Sequence, residues 1–312
     1  MRVSNSMLSN NYLNNLNKNL QKMLEQQTQI ATGKRITKLS DDPVGAIIGI
    51  NAGVKLERIE QYQTNVSRAQ TWNSMTESAV MELNDVVSSA YERAVSAAND
   101  SMTAEDKAAI AAEISQLRDH IVSIANDKTG NQYLFGGYNT SSAPFEVDAG
   151  TGHLFYNGID MTNASDPLLI AEGTQVTEYE IAYGIDLEVS IPGTELLGTG
   201  DDNLYKIFDD FYNALMNDES ATVLTDYIDK FQGAQQRLMN LESEIGGRTN
   251  RLELVDYRHE EDYLNYTELK SGIEDVDSAE ALMKFSVTQS IYLASLNIAS
   301  DIVSPTLVDY LD

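Results

Sequence analysis

The chain contains no cysteine in 312 residues. Thiolate catalysis, cysteine-ligated zinc and disulfide bracing are therefore excluded, and stability must come from packing. Proline is scarce at 5 residues and glycine numbers 19, so few breakers interrupt long helices. Aromatics make up 8% of the chain: 16 Tyr, 7 Phe and a single Trp. Basic side chains are also few, 21 Lys and Arg against 48 Asp and Glu, for a net charge of −27. Such a body repels phosphate backbones and gains nothing from counterion release, so no nucleic-acid partner is expected. No run of about 18 apolar residues is present, so no membrane insertion is expected either. The opening MRVSNSMLSNNYLNNLNKNL is polar and Asn-rich, without the apolar core or cleavage site of a secretory leader. A chain of this kind that leaves the cell does so by a route that cleaves no leader.

What is abundant is heptad-like apolar spacing. Leu13, Leu16, Leu20, Met23, Gln27 and Ile30 form one seam of a first helix, predicted from about Asn5 to Thr32 and stopped by Gly33. Asp42 is then a predicted N-cap, with Pro43 at the first helical position. From Pro43 to about Ala98 a seam runs without a slip through Ile59, Val66, Ala69, Asn73, Thr76, Val80, Leu83, Val87, Ala90, Ala94 and Ala97. At 1.5 Å per residue that helix is roughly 80 Å long, too long for a small globule. Thr103 and Asp106 suggest a capping box, opening a helix that carries Ile110, Ile114, Leu117, Ile121 and Ile124 and ends near Lys128, with Gly130 as its stop.

The period changes to two beyond Asn131. His153–Tyr156, Asn157-Gly158 and Ile159–Thr162 predict a hairpin with a type I′ turn, and Gln175–Ala182 and Ile185–Ile191 are further strand candidates. Helices return at Asn203, with a short face of Leu204, Ile207, Phe208, Phe211 and Leu215 broken near Asp218. The next seam runs from Leu224 through Phe231, Leu238 and Ile245 to Leu252, His259, Leu269 and Ile273. Gly246-Gly247 interrupts it, and spacing alone does not say whether the helix breaks there. The expected fold is mainly α: a long antiparallel helical rod, a coiled-coil-like bundle, with a small inserted β domain. Expected domains are the terminal helices 1–40 and 275–312, a long-helix core of 41–135 and 201–274, and the β insert 136–200.

The last helix, about Ser278 to Val303, carries two apolar seams. One is Leu282, Phe285, Tyr292, Leu296, Ala299 and Val303; the other is Val287, Ile291, Ala294, Ile298 and Ile302. One partner helix cannot cover both, so at least one face awaits another subunit. Charge points the same way: residues 1–38 hold six bases and one acid, residues 275–312 six acids and one base. Opposite signs favour pairing of the two ends, within or between subunits. The assembly surface is therefore expected at Leu13, Leu16, Leu20, Met23, Ile30, Leu282, Phe285, Val287, Ile291, Tyr292, Leu296, Ile298, Ile302 and Val303.

Catalytic signals are poor. His120, His153 and His259 lie far apart and form no metal-binding spacing, and His259 falls on a core seam. No phosphate loop, nucleophile elbow or cofactor motif is present. Acid pairs such as Asp41-Asp42, Asp201-Asp202 and Asp209-Asp210 read as caps and solvated faces. A secreted hydrolase using an acid pair in the β insert is the weakest reading, and no enzyme activity, metal or cofactor is expected.

The segment IATGKRITKLSDDPVGAIIG (Ile30–Gly49) resembles the N-terminal signature of bacterial flagellins and flagellin-like proteins, and Ile273–Val303 resembles their C-terminal helix. QYLFGGYNTSSAPF (Gln132–Phe145), IGGRTNRLE (Ile245–Glu253) and the ending PTLVDYLD resemble the hook-associated branch of that family, the junction proteins between hook and filament. The resemblance implies a structural flagellar component, extracellular and exported unfolded through the type III channel without a cleaved signal peptide. It also implies terminal helices in an inner tube, an outward β insert, and four partners: further copies of itself in a ring, the first hook-associated junction protein, flagellin, and an export chaperone in the cytosol. A flagellin proper is the alternative.

Overall fold

The computed structural model describes residues 5–99 and 102–303. Asp100 and Ser101, in the break before Thr103, lie outside the described residues, as does the PTLVDYLD ending. The chain divides into two compact units, Met1–Ile59 with Glu261–Asp312, and Glu60–Glu260.

The first unit is made of helix ends. Helix α1 (Asn5–Thr32) ends at Gly33, whose φ of +71° is a left-handed conformation that glycine adopts without strain. The Gly33 N–H still closes on Gln29 O at 2.8 Å. Helix α2 (Pro43–Ala97) starts as predicted: Asp42 Oδ1 accepts the Gly45 N–H at 2.9 Å, and Pro43 occupies the first turn. The inward side of this first stretch is built from small residues, Gly45, Ala46, Gly49 and Ala52. A Cβ on Gly49 would meet the Glu274 side chain, which reaches α2 from the end of α7 (Ala221–Glu274). Helix α8 (Ser278–Val303) packs along α1.

The second unit holds the main core. The long seam is buried as read, with Val66, Ala69, Val80, Leu83, Val87, Ala90, Ala94 and Ala97 all inaccessible or nearly so. Within it α2 and α7 run antiparallel: Asn73 donates to Ile245 O at 3.0 Å and Thr249 Oγ1 at 2.6 Å, and further along α2 Asn84 reaches back to Glu242. Helix α7 continues unbroken through Gly246-Gly247, so the pair weakens the helix without ending it. Helix α3 (Ala104–Ala125) opens on the predicted capping box, Thr103 and Asp106 bonding reciprocally. It ends three residues before the expected Lys128, and Gly130 belongs instead to the turn of a hairpin, β1 (Lys128–Thr129) with β2 (Gln132–Tyr133).

Two further antiparallel sheets follow. Strands β3 (Phe145–Val147), β4 (Leu154–Tyr156) and β5 (Ile159–Asp160) form one, and β6 (Glu178–Ala182) with β7 (Ile185–Glu188) the other. Asn157 and Gly158 between β4 and β5 have φ of 48° and 84°, the signature of the predicted type I′ turn. Helices α4 (Pro167–Glu172) and α5 (Gly193–Leu197) were not anticipated. Helix α6 (Leu204–Met216), capped by Asn203, packs on α3 and inserts Phe208 and Phe211 against Phe231 in edge-to-face contacts 5.1 and 5.5 Å between ring centres.

Candidate assembly surface

The first unit is tied at one place. Lys34 bridges to Asp275 in an antiparallel backbone pairing, with Arg35 N–H to Glu274 O at 2.6 Å and Val276 N–H to Gly33 O at 3.0 Å. The end of α1 therefore sits beside the start of α8, so the two helices pack antiparallel. Side chains of opposite sign reinforce the junction. Lys34 Nζ donates to Asp275 Oδ1 at 2.7 Å and Glu274 Oε2 at 3.2 Å, and Arg35 donates to Ile273 O at 2.7 Å. The Asp275 hydrogen bond raises the Lys34 pKa, and Lys34 in turn lowers that of Asp275. The charge asymmetry between the two chain ends is thus used within one chain, at this junction.

Helix α8 turns a narrow face toward α1: Ala281, Phe285, Thr288, Tyr292 and Ser295, spaced four and three apart. Two large apolar groups remain outside it. Met283, Val287, Ile291 and Ile298 lie along one flank, and Leu282, Leu293 and Leu296 along the other; all are exposed. Phe285 and Tyr292 of the expected first seam therefore pack inward, whereas Leu282 and Leu296 stand in solvent. The whole second seam, Val287, Ile291, Ala294 and Ile298, is exposed in the single chain. The side chains of Ala299, Ile302 and Val303 lie outside the described residues. On α1 the inward positions are Tyr12, Leu16, Leu20, Met23, Gln26 and Ile30, half-buried. Leu13, expected on that seam, is 45% exposed, and Tyr12 takes its place one residue earlier.

No histidine is part of a catalytic constellation among the described residues. His120 faces Glu82 at 3.1 Å on the surface, and His153 faces Asp160 at 2.9 Å. His259 is buried, its Nε2 2.7 Å from Ile181 O and its ring stacked on Tyr62 at 5.7 Å, a packed core residue as expected. No cluster of three or more His, Cys, Asp or Glu able to hold a metal ion occurs among the described residues. No described helix is long and apolar enough to cross a membrane. The acid pairs act as caps and braces: Asp41 accepts from Lys38 N–H at 2.8 Å and from Thr37, and Asp201 pairs with Lys206 at 2.7 Å.

Sequence comparison matches residues 3–140 to the bacterial flagellin N-terminal helical region. Flagellar hook-associated protein 3 of Escherichia coli (strain K12) is 24% identical over 309 residues, covering 96% of both chains. Its namesake in Salmonella typhimurium is 24% identical over 318 residues, covering 98% of both. A flagellin of Clostridium tyrobutyricum is 28% identical over 138 residues, 44% of this chain and 37% of the relative. Among solved structures, the flagellar junction protein FlgL from Legionella pneumophila superposes with a TM-score of 0.59 at 13% identity, over 74% of this chain and 100% of that one. Bacillus cereus FlgL gives 0.57 at 19% identity, over 71% and 99%. These structural likenesses establish a shared fold of long helices with small antiparallel sheets. Residues 3–140 are thus similar to the flagellin N-terminal helical region, and the chain is similar to flagellar hook-associated protein 3 over nearly its whole length.

Proposed function

We propose that this chain is a structural, non-catalytic axial component of the bacterial flagellum, an adaptor that joins the hook to the flagellin filament. The observation that carries the reading is α8: one face is used against α1 and two apolar flanks are left for neighbours, in a chain similar end to end to hook-associated protein 3. Flagellin itself is the weaker alternative: flagellins FlaB1 and FlaB2 of Treponema pallidum are 22% and 23% identical over 84% and 91% of this chain, against 24% over 96% for hook-associated protein 3. In this reading 1–40 and 275–312 form an inner assembly domain, 41–135 and 201–274 its supporting core, and 136–200 an outward β insert. The partners are further copies of the chain, the first hook-associated junction protein and flagellin, with an export chaperone before secretion. The place of action is the extracellular flagellum, reached without a cleaved signal peptide.

Removing Ser278–Asp312 deletes the apolar flanks and spares the second unit. Cells making only this truncation are expected to carry bare hooks and to release flagellin into the medium, because export continues while nucleation fails. Added full-length protein restores filament growth on those hooks. Filaments of ordinary length on the truncation strain would defeat the adaptor reading, and loss of the hooks as well would place the chain earlier in construction.

A further inference from the structure

The hairpin of β6 and β7 sets like charges against each other. No Lys or Arg occurs between Lys128 and Lys206, against twelve Asp and Glu. Four of those acids stand on the hairpin in register: Glu178 lies opposite Glu188, and Glu180 opposite Asp186. All four are exposed and, two residues apart on each strand, they share one face. Directly opposed side chains sit about 5 Å apart, close enough for like charges to weaken the pairing. Among the described residues, Glu178 and Asp186 have no hydrogen bond or ion pair through their carboxylates. The nearby cations are too few to balance the face. Arg248 is 4.0 Å from Glu188 but binds Glu244 more closely, at 2.7 Å, and Arg251 lines the cleft beside Asp186. Glu195 on α5 adds to the excess: burial first, then Glu244, and also Glu188, raise its pKa.

The other face holds the hairpin down. Ile181, Leu187 and Val189 are buried. His259 Nε2 donates to Ile181 O at 2.7 Å, Asn65 Nδ2 to Glu180 O at 2.8 Å, and the Tyr62 hydroxyl lies 3.3 Å from Glu180 Oε1. All three ties to α2 and α7 fall on β6. The base is closed separately, with Thr177 N–H donating to the buried Ser190 Oγ at 2.6 Å and Val189 N–H to Thr177 O at 2.9 Å. Beyond that base, β7 is held to the helices by the packing of Leu187 and the long Arg248 contact.

We propose that this hairpin is a flap governed by ionic strength: counter-ions that screen the two acid pairs keep it closed on α2 and α7, and in dilute medium it lifts about its base at Thr177 and Val189. Both pairs are exposed, so screening reaches them fully. The Debye length shrinks from about 30 Å at 0.01 M salt to about 3 Å at 1 M, below the spacing of the paired carboxylates. The hydrogen bonds and apolar contacts of the inner face are neutral and respond far less. Lifting uncovers Ile181, Leu187 and the His259 ring stacked on Tyr62, a surface that stays covered when salt is present.

Amide hydrogen exchange of the full-length chain tests this, read over 178–188 and, as an internal reference, over α6, in 10 mM and 1 M sodium chloride. In the wild type the hairpin amides are expected to exchange about three- to tenfold more slowly at high salt, with a much smaller change in α6. The double variant Glu178→Gln with Asp186→Asn removes one carboxylate from each pair and leaves Arg248, Glu188 and the β6 ties in place. Its hairpin amides should exchange slowly at both salt concentrations, at the rate of the salt-closed wild type. Salt-independent exchange of the wild-type hairpin would overturn the proposal. So would an undiminished salt effect in the double variant, which would place its source outside the acid pairs. Equal slowing in α6 would show that salt steadies the whole second unit and that no separate flap exists.

Discussion

Lys34 Nζ donates to Asp275 Oδ1 at 2.7 Å although the two residues stand 241 positions apart. The pair marks where the two chain ends meet, yet both side chains are about two-fifths exposed, so solvent screens it. Two backbone hydrogen bonds beside it, Arg35 to Glu274 and Val276 to Gly33, survive any side-chain change.

Lys34→Ala is accordingly expected to cost less than about 1 kcal/mol in urea unfolding at low salt, and most of that difference should vanish in 1 M salt. The pH dependence follows from the two shifts. Asp275 is lowered, first by Lys34 and then by Ser271, so its contribution is complete above the ordinary carboxylate pKa of about 3.9 and is lost as pH falls through the lower folded value. Lys34 is raised, so its contribution is complete below about 10.4 and is lost as pH rises through the folded value. A wild-type advantage that persisted undiminished at pH 2 would show that the pair is not its source.

Tyr156 is a stronger lever on the second unit. Its hydroxyl is buried, donates to Phe135 O at 3.0 Å and accepts the Gly193 N–H at 3.3 Å, and burial pushes its pKa up to about 12. Tyr156→Phe leaves both backbone groups buried without that partner and should cost about 1–3 kcal/mol in chemical unfolding. In the wild type, stability present below about pH 10 should fall as pH rises toward 12, because the unfolded tyrosine ionises first. Equal unfolding midpoints for wild type and variant at pH 7 would refute the assignment.

Much of this architecture is legible in the spacing of apolar residues, and the exceptions have physical causes. The seam from Val66 to Ala97 could be read directly because a long helix averages over many turns and its phase is over-determined. In α1 the phase rests on few large residues. Tyr12 and Leu13 are both acceptable at the first position, and only packing against α8 selects Tyr12. Helix α4 has a written start, Asp166 as cap and Pro167 at the first position, but six residues are too few for periodicity to register. Helix α5 lacks even a side-chain cap. Gly130 misled because a glycine after an apolar helix and a glycine in a hairpin turn read alike. On α8 the two seams were visible, but which residues face α1 was not, since Leu282 and Phe285 are equally apolar. Ile47, Ile48 and Ile50 lie ahead of the seam read from Ile59 onward and stand exposed, because Gly45, Ala46, Gly49 and Ala52 take the inward positions of that stretch.

Gly246 and Gly247 yield a prediction of opposite sign. They lie inside the unbroken α7, and a Cβ at either meets nothing within 4 Å. Each Gly→Ala change should stabilise the chain by about 0.5–1 kcal/mol by restricting the unfolded backbone. Urea unfolding reads this, and a lower midpoint for either variant would mean that the glycine conformation is needed there. Should the stabilised double variant assemble poorly, bending of α7 at this pair would be part of assembly.

The last prediction separates folding from assembly on a single helix. Phe285 packs toward α1 and is half-buried, whereas Ile291 stands 49% exposed on the outer flank of the same helix. Phe285→Ala removes intramolecular contacts and should cost the monomer about 1–2 kcal/mol, less than for a fully buried ring. Ile291→Ser removes nothing the monomer uses and should stay within about 0.5 kcal/mol of wild type. Their order reverses where copies meet: a serine at a tightly packed apolar contact loses the burial that holds neighbours together, while Phe285→Ala weakens each copy without altering its outer surface. Urea unfolding of the monomers and filament counts in cells, measured on the same two variants, decide the matter. Ile291→Ser cells should be poorly motile with a fully stable protein, and Phe285→Ala cells should be motile at low temperature and lose filaments on warming. Full motility with Ile291→Ser, together with a destabilised monomer, would mean that this flank serves the fold and not its neighbours.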